Sequence, residues 1–139
     1  MLNNNQAIVD SFFEAYIKRD FAGIHKVMHE DVTWIFLGQH PLAGVKNGIE
    51  DVVAFFDNMG AIMGQSKVKA EKLVMGSNDN YLVECQHITT HREDGNNVDH
   101  HVCVLWTFED NKIREGRHFF ADPKAADKFF AAVAPIPTE

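Results

Sequence analysis

The feature that most restricts the fold is a change of hydrophobic period part-way along the chain. After Gly64, four successive runs alternate apolar and polar residues, and the sequences SNDN, EDGNN and EDN separate them. Alternation with a period of two is typical of strands that bury one face, and connections this short join antiparallel neighbours. We therefore predict four antiparallel strands, over residues 67–75, 81–92, 98–108 and 113–120.

The residues on either side of these strands favour helices and one further strand. Apolar residues at a spacing of three to four follow the capping residues Asn3 to Asn5, which predicts an amphipathic helix ending near Arg19. Asn47 and Glu50 resemble a capping box that opens a later helix. The predicted order is a helix from Asn3, a short helix after Asp20, a strand over 31–38, a loop over 39–48, a helix from Asn47 to Gly60–Gly64, the four strands, and a helix from Asp122-Pro123 to about Ala134.

Helices that are segregated from a run of strands predict an α+β fold. The chain has 139 residues, which fits one domain over 1–139. We expect a strongly bent antiparallel sheet wrapped around the long N-terminal helix, with a hollow between them.

The composition of the chain indicates which partners and which cellular location to expect. The formal net charge is −7 and the basic residues are scattered, so neither nucleic acid nor an anionic membrane is an expected partner. The N-terminus lacks the basic and apolar regions of a signal peptide, and no apolar run approaches the ~18 residues of a membrane span. Only two cysteines occur, without a C-x-x-C motif, and this usage predicts a cytoplasmic location.

Three segments, FFEAYIKRDFAGIHKVMHEDVTWIFLG, PLAGVKNGIEDVVAFF and WTFEDNKIREGRHFFADP, occur in order and together span most of the chain. They are similar to the beginning, middle and end of the SnoaL-like branch of the nuclear transport factor 2-like, or cystatin-like, superfamily. The resemblance implies a conical fold with a pocket between sheet and helices, and a homodimer formed through the outer sheet face. Members include steroid isomerases, polyketide cyclases, epoxide hydrolases, dehydratases and non-catalytic binders, so the fold alone does not decide the function.

The ketosteroid isomerase residues of this superfamily correspond to Phe12, Phe36 and Val104 in this sequence. All three are apolar, and an apolar side chain cannot deprotonate a carbon acid. That mechanism is therefore not expected at these positions.

The Asp-Arg-Asp set of limonene-epoxide-hydrolase-like members falls near Cys85, His87 and His118. The acid–base positions are still polar, but the arginine and both aspartates are absent. The resemblance therefore implies functional positions without implying epoxide hydrolysis.

The turn sequences predict which side chains share a face of the sheet. Asn111, as a left-handed residue in a three-residue turn, pairs Val102 with His118, and a two-residue turn at Asp94-Gly95 pairs His87 with Val102. Residues directly opposite each other share a face. One face then carries His87, His100, His118, Cys85, Val104 and Trp106, and the other carries His101, Cys103, Leu105, Phe119, Glu84, Glu115 and Arg117. Because Cys85 and Cys103 fall on opposite faces, a disulfide between them is not expected.

The resemblance places His118 inward, so the face with three histidines is the predicted pocket wall. His118 and His87 are the predicted catalytic residues, because imidazole transfers protons near neutral pH. The predicted ligand-binding residues are His100, Trp34, Phe36, Trp106, Phe12, Tyr16, Phe56, Val104, Cys85, Phe120 and His40. For each aromatic residue in this set, a purely structural place in the core is the alternative.

Three imidazoles on one face also make a metal site geometrically reasonable. The resemblance implies no metal, and no carboxylate completes an outer shell around these histidines. We therefore expect neither a metal nor another cofactor.

Two functions stay open at this stage. The first is a cofactor-free isomerase, cyclase, dehydratase or hydrolase that acts on a small apolar metabolite through histidine acid–base groups. The second is a non-catalytic binding or accessory module with the same fold, which the apolar residues at Phe12, Phe36 and Val104 favour.

Overall fold

The computed structural model describes residues 4–133 and confirms an α+β fold. The predicted start at Asn3 and end near Ala134 lie outside the described residues. The elements are α1 (Asn4–Lys18), α2 (Phe21–Val27), β1 (Met28–Phe36), β2 (Gly44–Asn47), α3 (Gly48–Gln65), β3 (Lys69–Ser77), β4 (Tyr81–Thr89), β5 (Asp99–Glu109), β6 (Lys112–Phe120) and α4 (Pro123–Val133).

β2 and the end of α3 differ from the sequence prediction. β2 forms within the predicted loop, because residues 44–47 pair antiparallel with the end of β1. α3 continues through Gly60 and Gly64 and ends at Gln65. The left-handed residue after this helix is Lys67, with a φ of 51°, so neither glycine is needed to end it.

The six strands form one open, curved sheet in the order β2-β1-β6-β5-β4-β3. The sheet is mixed rather than antiparallel as predicted, because β1 runs parallel to β6. Alternation along a strand identifies its buried face, but it does not say in which direction a strand distant in sequence joins a sheet edge.

The helices cover one face of the sheet, here called the inner face. Phe12 of α1 is fully buried and lies with its ring centroid 6.3 Å from that of Trp106 on β5. Trp34 on β1 packs edge-on against Trp106 at 4.9 Å. This aromatic layer forms the core between α1, α3 and the sheet. Among residues 4–133, no helix has both the length and the apolar character needed to span a membrane.

The pairing of β5 with β6 preserves the predicted face of His118. Asp110 and Asn111 both have positive φ and form a two-residue turn in place of the predicted three-residue turn. An irregularity between Thr107 and Phe108 then shifts the register, so His118 lies opposite Val104 rather than Val102. The total offset is two residues, and an even offset leaves every side chain on its predicted face.

The pairing of β4 with β5 differs from the prediction by one residue, which reverses the faces of β4. His87 lies opposite His101, and Cys85 lies opposite Cys103, so these four residues share the outer face. The predicted separation of the two cysteines was wrong, because their Sγ atoms are 2.6 Å apart.

The physical cause of this slip is the connection between the two strands. β4 ends at Thr89 and β5 begins at Asp99, so the predicted tight turn at Asp94-Gly95 is only the tip of a longer loop. The Asn97 side chain accepts hydrogen bonds from the Arg92 backbone N–H and from the Thr90 hydroxyl, and these contacts hold the loop.

Candidate functional site

A cavity of about 230 Å³ lies between the inner face of the sheet, the second half of α3 and α4. We call it the inner-face cavity. Its walls are mostly apolar, and its only polar side chains among the described residues are Gln86 and His118. The lining residues are Phe36, Met59, Met63, Val68, Ala70, Gln86, Ile88, Val102, Val104, His118, Phe120 and Phe130.

Larger hollows occur elsewhere but are less specific. One of about 320 Å³ lies between α1 and strands β3 and β4, and one of about 420 Å³ lies between α2 and α3. Exposed residues such as Asp10, Lys72 and Glu50 line them. The inner-face cavity is the candidate site because it combines aromatic walls with a half-buried titratable group, His118.

His118 is held by a hydrogen bond from the core. The indole N–H of Trp34 donates to Nδ1 of His118 across 3.0 Å. Burial lowers the pKa of His118 from 6.5 to about 3, because an imidazolium ion would lose its hydration. His118 is therefore neutral near pH 7.

Gly116 makes this hydrogen bond possible. It pairs with Trp34 on one side and with Trp106 on the other, so β6 passes between two indole rings. A Cβ atom at residue 116 would lie 2.0 Å from Cζ3 of Trp34, which is far inside van der Waals contact. The absent side chain thus lets the Trp34 ring lie against the strand and reach His118.

Gln86 and Glu84 are functional candidates that the sequence analysis missed. Both lie on the inner face, although the predicted register had placed Glu84 on the outer face. The Gln86 amide donates to Oε1 of Glu84, and Oε2 of Glu84 lies 3.8 Å from Nζ of Lys72. The signal that could have found them is the loop sequence THREDGNNV, whose side chains bond to the backbone and so argue against a tight turn at Asp94-Gly95.

Four of the predicted site residues line the cavity: Phe36, Val104, His118 and Phe120. The other aromatic candidates form the core behind it. Trp34, Trp106 and Phe12 are buried, and Phe56 packs against Trp34 at 4.8 Å.

Tyr16 and His40 lie away from the cavity. The Tyr16 hydroxyl donates to Asp57 across 2.7 Å, and burial together with this carboxylate raises the pKa of Tyr16 to about 12. The His40 side chain is fully buried against Phe36 and Phe130, with ring centroids 5.4 and 5.1 Å apart, and burial lowers its pKa. His40 therefore supports the cavity wall from behind.

His100 is close to the cavity without lining it. It is buried, it stacks on Phe120 with centroids 5.7 Å apart, and its Nδ1 has no partner among the described residues. Burial lowers its pKa, so this imidazole is also neutral near pH 7.

His87 and Cys85 were placed in the pocket by the sequence analysis, and the structure corrects both. The one-residue register difference puts them on the outer face. His87 bonds to the carboxylate of Asp99 across 2.6 Å, and this contact raises its pKa. Only two of the three expected histidines, His100 and His118, therefore share the inner face.

One set of metal-ligating side chains occurs within residues 4–133, outside the cavity. Ligand atoms of His29, Glu109 and Asp110 lie within 4.8 Å of one another. Nδ1 of His29 accepts the backbone N–H of Asp31 across 3.0 Å, so neutral His29 carries its hydrogen on Nε2. A metal at Nε2 would move that hydrogen to Nδ1, where it would oppose the Asp31 N–H, and the set is therefore a poor metal site.

A model of the SnoaL-like domain matches residues 9–116. The chain belongs to the SnoaL-like family. The uncharacterized protein Rv0034 of Mycobacterium tuberculosis (strain ATCC 25618 / H37Rv) is 30% identical to this SnoaL-like chain over 125 residues, covering 89% of this chain and 94% of Rv0034.

Solved structures agree with the fold of the SnoaL-like chain. A protein of unknown function with a cystatin-like fold from Xanthomonas campestris has a TM-score of 0.71 at 21% identity, covering 93% of this chain and 99% of that one. TerC, co-crystallized with polyporic acid, has a TM-score of 0.68 at 19% identity, covering 92% of this chain and 98% of TerC. These structures confirm the predicted cystatin-like fold, and the match to the SnoaL-like domain confirms the predicted family.

Proposed function

We propose that the SnoaL-like chain binds a small, mostly apolar metabolite in the inner-face cavity. The observation that carries this proposal is the lining: apolar walls that surround two polar side chains, Gln86 and His118. Sites for small organic ligands combine these two features, with apolar contact for affinity and a few polar groups for orientation. TerC, a structural neighbour co-crystallized with polyporic acid, supports a ligand-holding role for this fold.

The volume and charge of the cavity also limit the size and charge of its ligand. Its volume of about 230 Å³ is below the range of about 300–1,000 Å³ in which drug-sized ligands bind. No charged side chain lines it among the described residues, since His118 is neutral near pH 7. A compact uncharged molecule fits these walls better than an ion, because a buried unpaired charge is costly.

Binding of tetralin, a compact hydrocarbon probe, tests this proposal. In an NMR titration of ¹⁵N-labelled protein, tetralin should shift amide signals of residues that line the cavity. Val104→Phe places an aromatic ring in the cavity, fills part of its volume and should abolish these shifts. Leu105→Phe is the matched control, because Leu105 is the next residue and faces outward. Equal shifts in wild type and Val104→Phe would contradict the proposal.

A catalytic role is the second candidate, and the contact between Gln86 and Glu84 favours it. Glu84 is half-buried and lies beside the cavity, behind Gln86, so its carboxylate is the proton acceptor only where the Gln86 amide moves aside for the ligand. His118 is less suited to proton transfer near neutral pH, because its pKa is about 3. If the chain is an isomerase or a cyclase, it should accelerate hydrogen–deuterium exchange next to the carbonyl of 1-tetralone, and Glu84→Gln should remove this acceleration.

The assembly proposed for this function is a homodimer formed through the outer face, in the cytoplasm. The outer face carries Phe119, which is 49% exposed, and Val83, which is 37% exposed, beside Leu105. Apolar residues clustered on a sheet face are typical of a subunit contact.

A further inference from the structure

We infer that Trp34 fixes His118 in the tautomer that presents its Nε2–H to the inner-face cavity, so that the ligand carries a neutral hydrogen-bond acceptor such as a carbonyl oxygen. This inference rests on the proposed function and adds the chemical class of the ligand. It gives Trp34 the role of a positioning residue that does not itself line the cavity.

The tautomer follows from the donor capacity of the two rings. An indole N–H is a donor only, so Nδ1 of His118, which lies 3.0 Å away, must offer a lone pair. A neutral imidazole carries one N–H, and that hydrogen is then on Nε2. No described residue accepts a hydrogen bond from Nε2, and this atom is not sealed from solvent-accessible space. Since His118 lines the cavity, the Nε2–H is available to a bound molecule.

The position of the indole is itself fixed. The Trp34 ring contacts Phe56 at 4.8 Å and Trp106 at 4.9 Å, and it lies against the backbone of Gly116. A side chain packed on all these surfaces cannot turn to release Nδ1. The protein therefore imposes the tautomer before any ligand arrives, which is the form of preorganisation that a specific site needs.

The Nε2–H of His118 distinguishes between ligands of equal size by the hydrogen-bonding group that they carry. A hydrocarbon leaves the Nε2–H without a partner, and an unpaired buried donor is unfavourable. An ammonium ion meets a donor where it needs an acceptor, in a cavity without a carboxylate on its walls. A carbonyl oxygen satisfies the Nε2–H and keeps the remaining apolar contacts.

Three probes with one skeleton test the inference: 1-tetralone, tetralin and 1-aminotetralin. In NMR titrations with the wild-type protein, 1-tetralone should bind at least about tenfold more tightly than tetralin, since one hydrogen bond contributes on the order of a tenfold factor. 1-Aminotetralin, which is cationic at pH 7, should bind more weakly than tetralin. Trp34→Phe and His118→Leu should each remove the preference for the ketone.

Tyr16→Phe is the control. It removes a hydrogen-bond donor from another aromatic side chain, but the Tyr16 hydroxyl bonds to Asp57 and Tyr16 does not line the cavity, so the ketone preference should stay intact. A second readout separates positioning from packing. In ¹⁵N NMR spectra of the imidazole, wild type and Tyr16→Phe should show His118 with Nε2 protonated, and Trp34→Phe should show a mixture of tautomers.

The outcomes are distinguishable. If the three probes bind equally well in the cavity, or if wild-type His118 carries its hydrogen on Nδ1, the inference is overturned and the proposed function stands. If none of the probes binds, the proposed function fails together with the inference.

Discussion

Acid should destabilise this protein through His118, and the size of the effect follows from its environment. The His118 pKa is about 3 in the folded chain and 6.5 for an unperturbed imidazole, so the unfolded chain binds a proton more readily. Stability from this residue is complete above pH 6.5 and is lost as the pH falls towards 3. pH 5 lies about 1.5 units below the unperturbed pKa, and each unit is worth about 1.4 kcal/mol, which gives a loss of about 2 kcal/mol. Any folded-state pKa well below 5 gives nearly the same figure.

His118→Asn isolates this contribution. An asparagine oxygen can accept the Trp34 indole N–H in place of Nδ1, but the amide does not titrate. His40 and His100 have lowered pKa values and act in the same direction, whereas the raised pKa of His87 acts in the opposite one. All three are present in both proteins and cancel in the difference.

The assay is urea unfolding of both proteins at pH 7 and pH 5, with the free energy of unfolding extrapolated to water. Wild type should lose about 2 kcal/mol more than His118→Asn between the two pH values. An equal loss in both proteins would refute the reasoning, because His118 would then have an ordinary pKa in the folded state.

Three further predictions concern packing, assembly and metal content. Gly116→Ala should lower the free energy of unfolding by about 1–3 kcal/mol or more, because its Cβ would meet the Trp34 ring at 2.0 Å. Gly60→Ala should instead raise it by roughly 0.5–1 kcal/mol, since nothing lies within 4 Å of that helical position; equal effects in urea unfolding would count against the packing described for Trp34. Light scattering at micromolar concentration should show a wild-type dimer and a Phe119→Asp monomer, and a wild-type monomer would exclude the outer-face contact. Elemental analysis of untagged protein should show no stoichiometric zinc, iron or manganese, and one metal per chain would overturn that expectation.

Much of the fold was predictable, because the period of apolar residues and the identity of turn residues depend only on neighbouring positions in the sequence. The alternation along β5 and β6 placed His100, Val104 and His118 on one face, and the structure agrees. The predicted and observed registers of β5 and β6 differ by two residues, and only an odd difference reverses the faces, so the predicted faces are correct.

The errors arose where particular side-chain contacts or strand pairings, rather than alternation, decide the structure. The β4–β5 register depends on the Asn97 side chain, whose bonds to Arg92 and Thr90 no alternation pattern reports. The predicted register was wrong by one residue. It therefore placed Gln86 on the outer face and His87 on the inner face, whereas the structure has the reverse. The bond between Trp34 and His118 spans 84 positions in sequence, and it needs the parallel pairing of β1 with β6 that the sequence did not indicate.

The most direct test of the central claim is a crystal structure of the protein soaked with 1-tetralone. The account predicts electron density for the probe in the inner-face cavity, in contact with Met63 and Val104, with its carbonyl oxygen about 3 Å from Nε2 of His118. Probe density only in the hollows beside α1 or α2, with the inner-face cavity holding none, would contradict it.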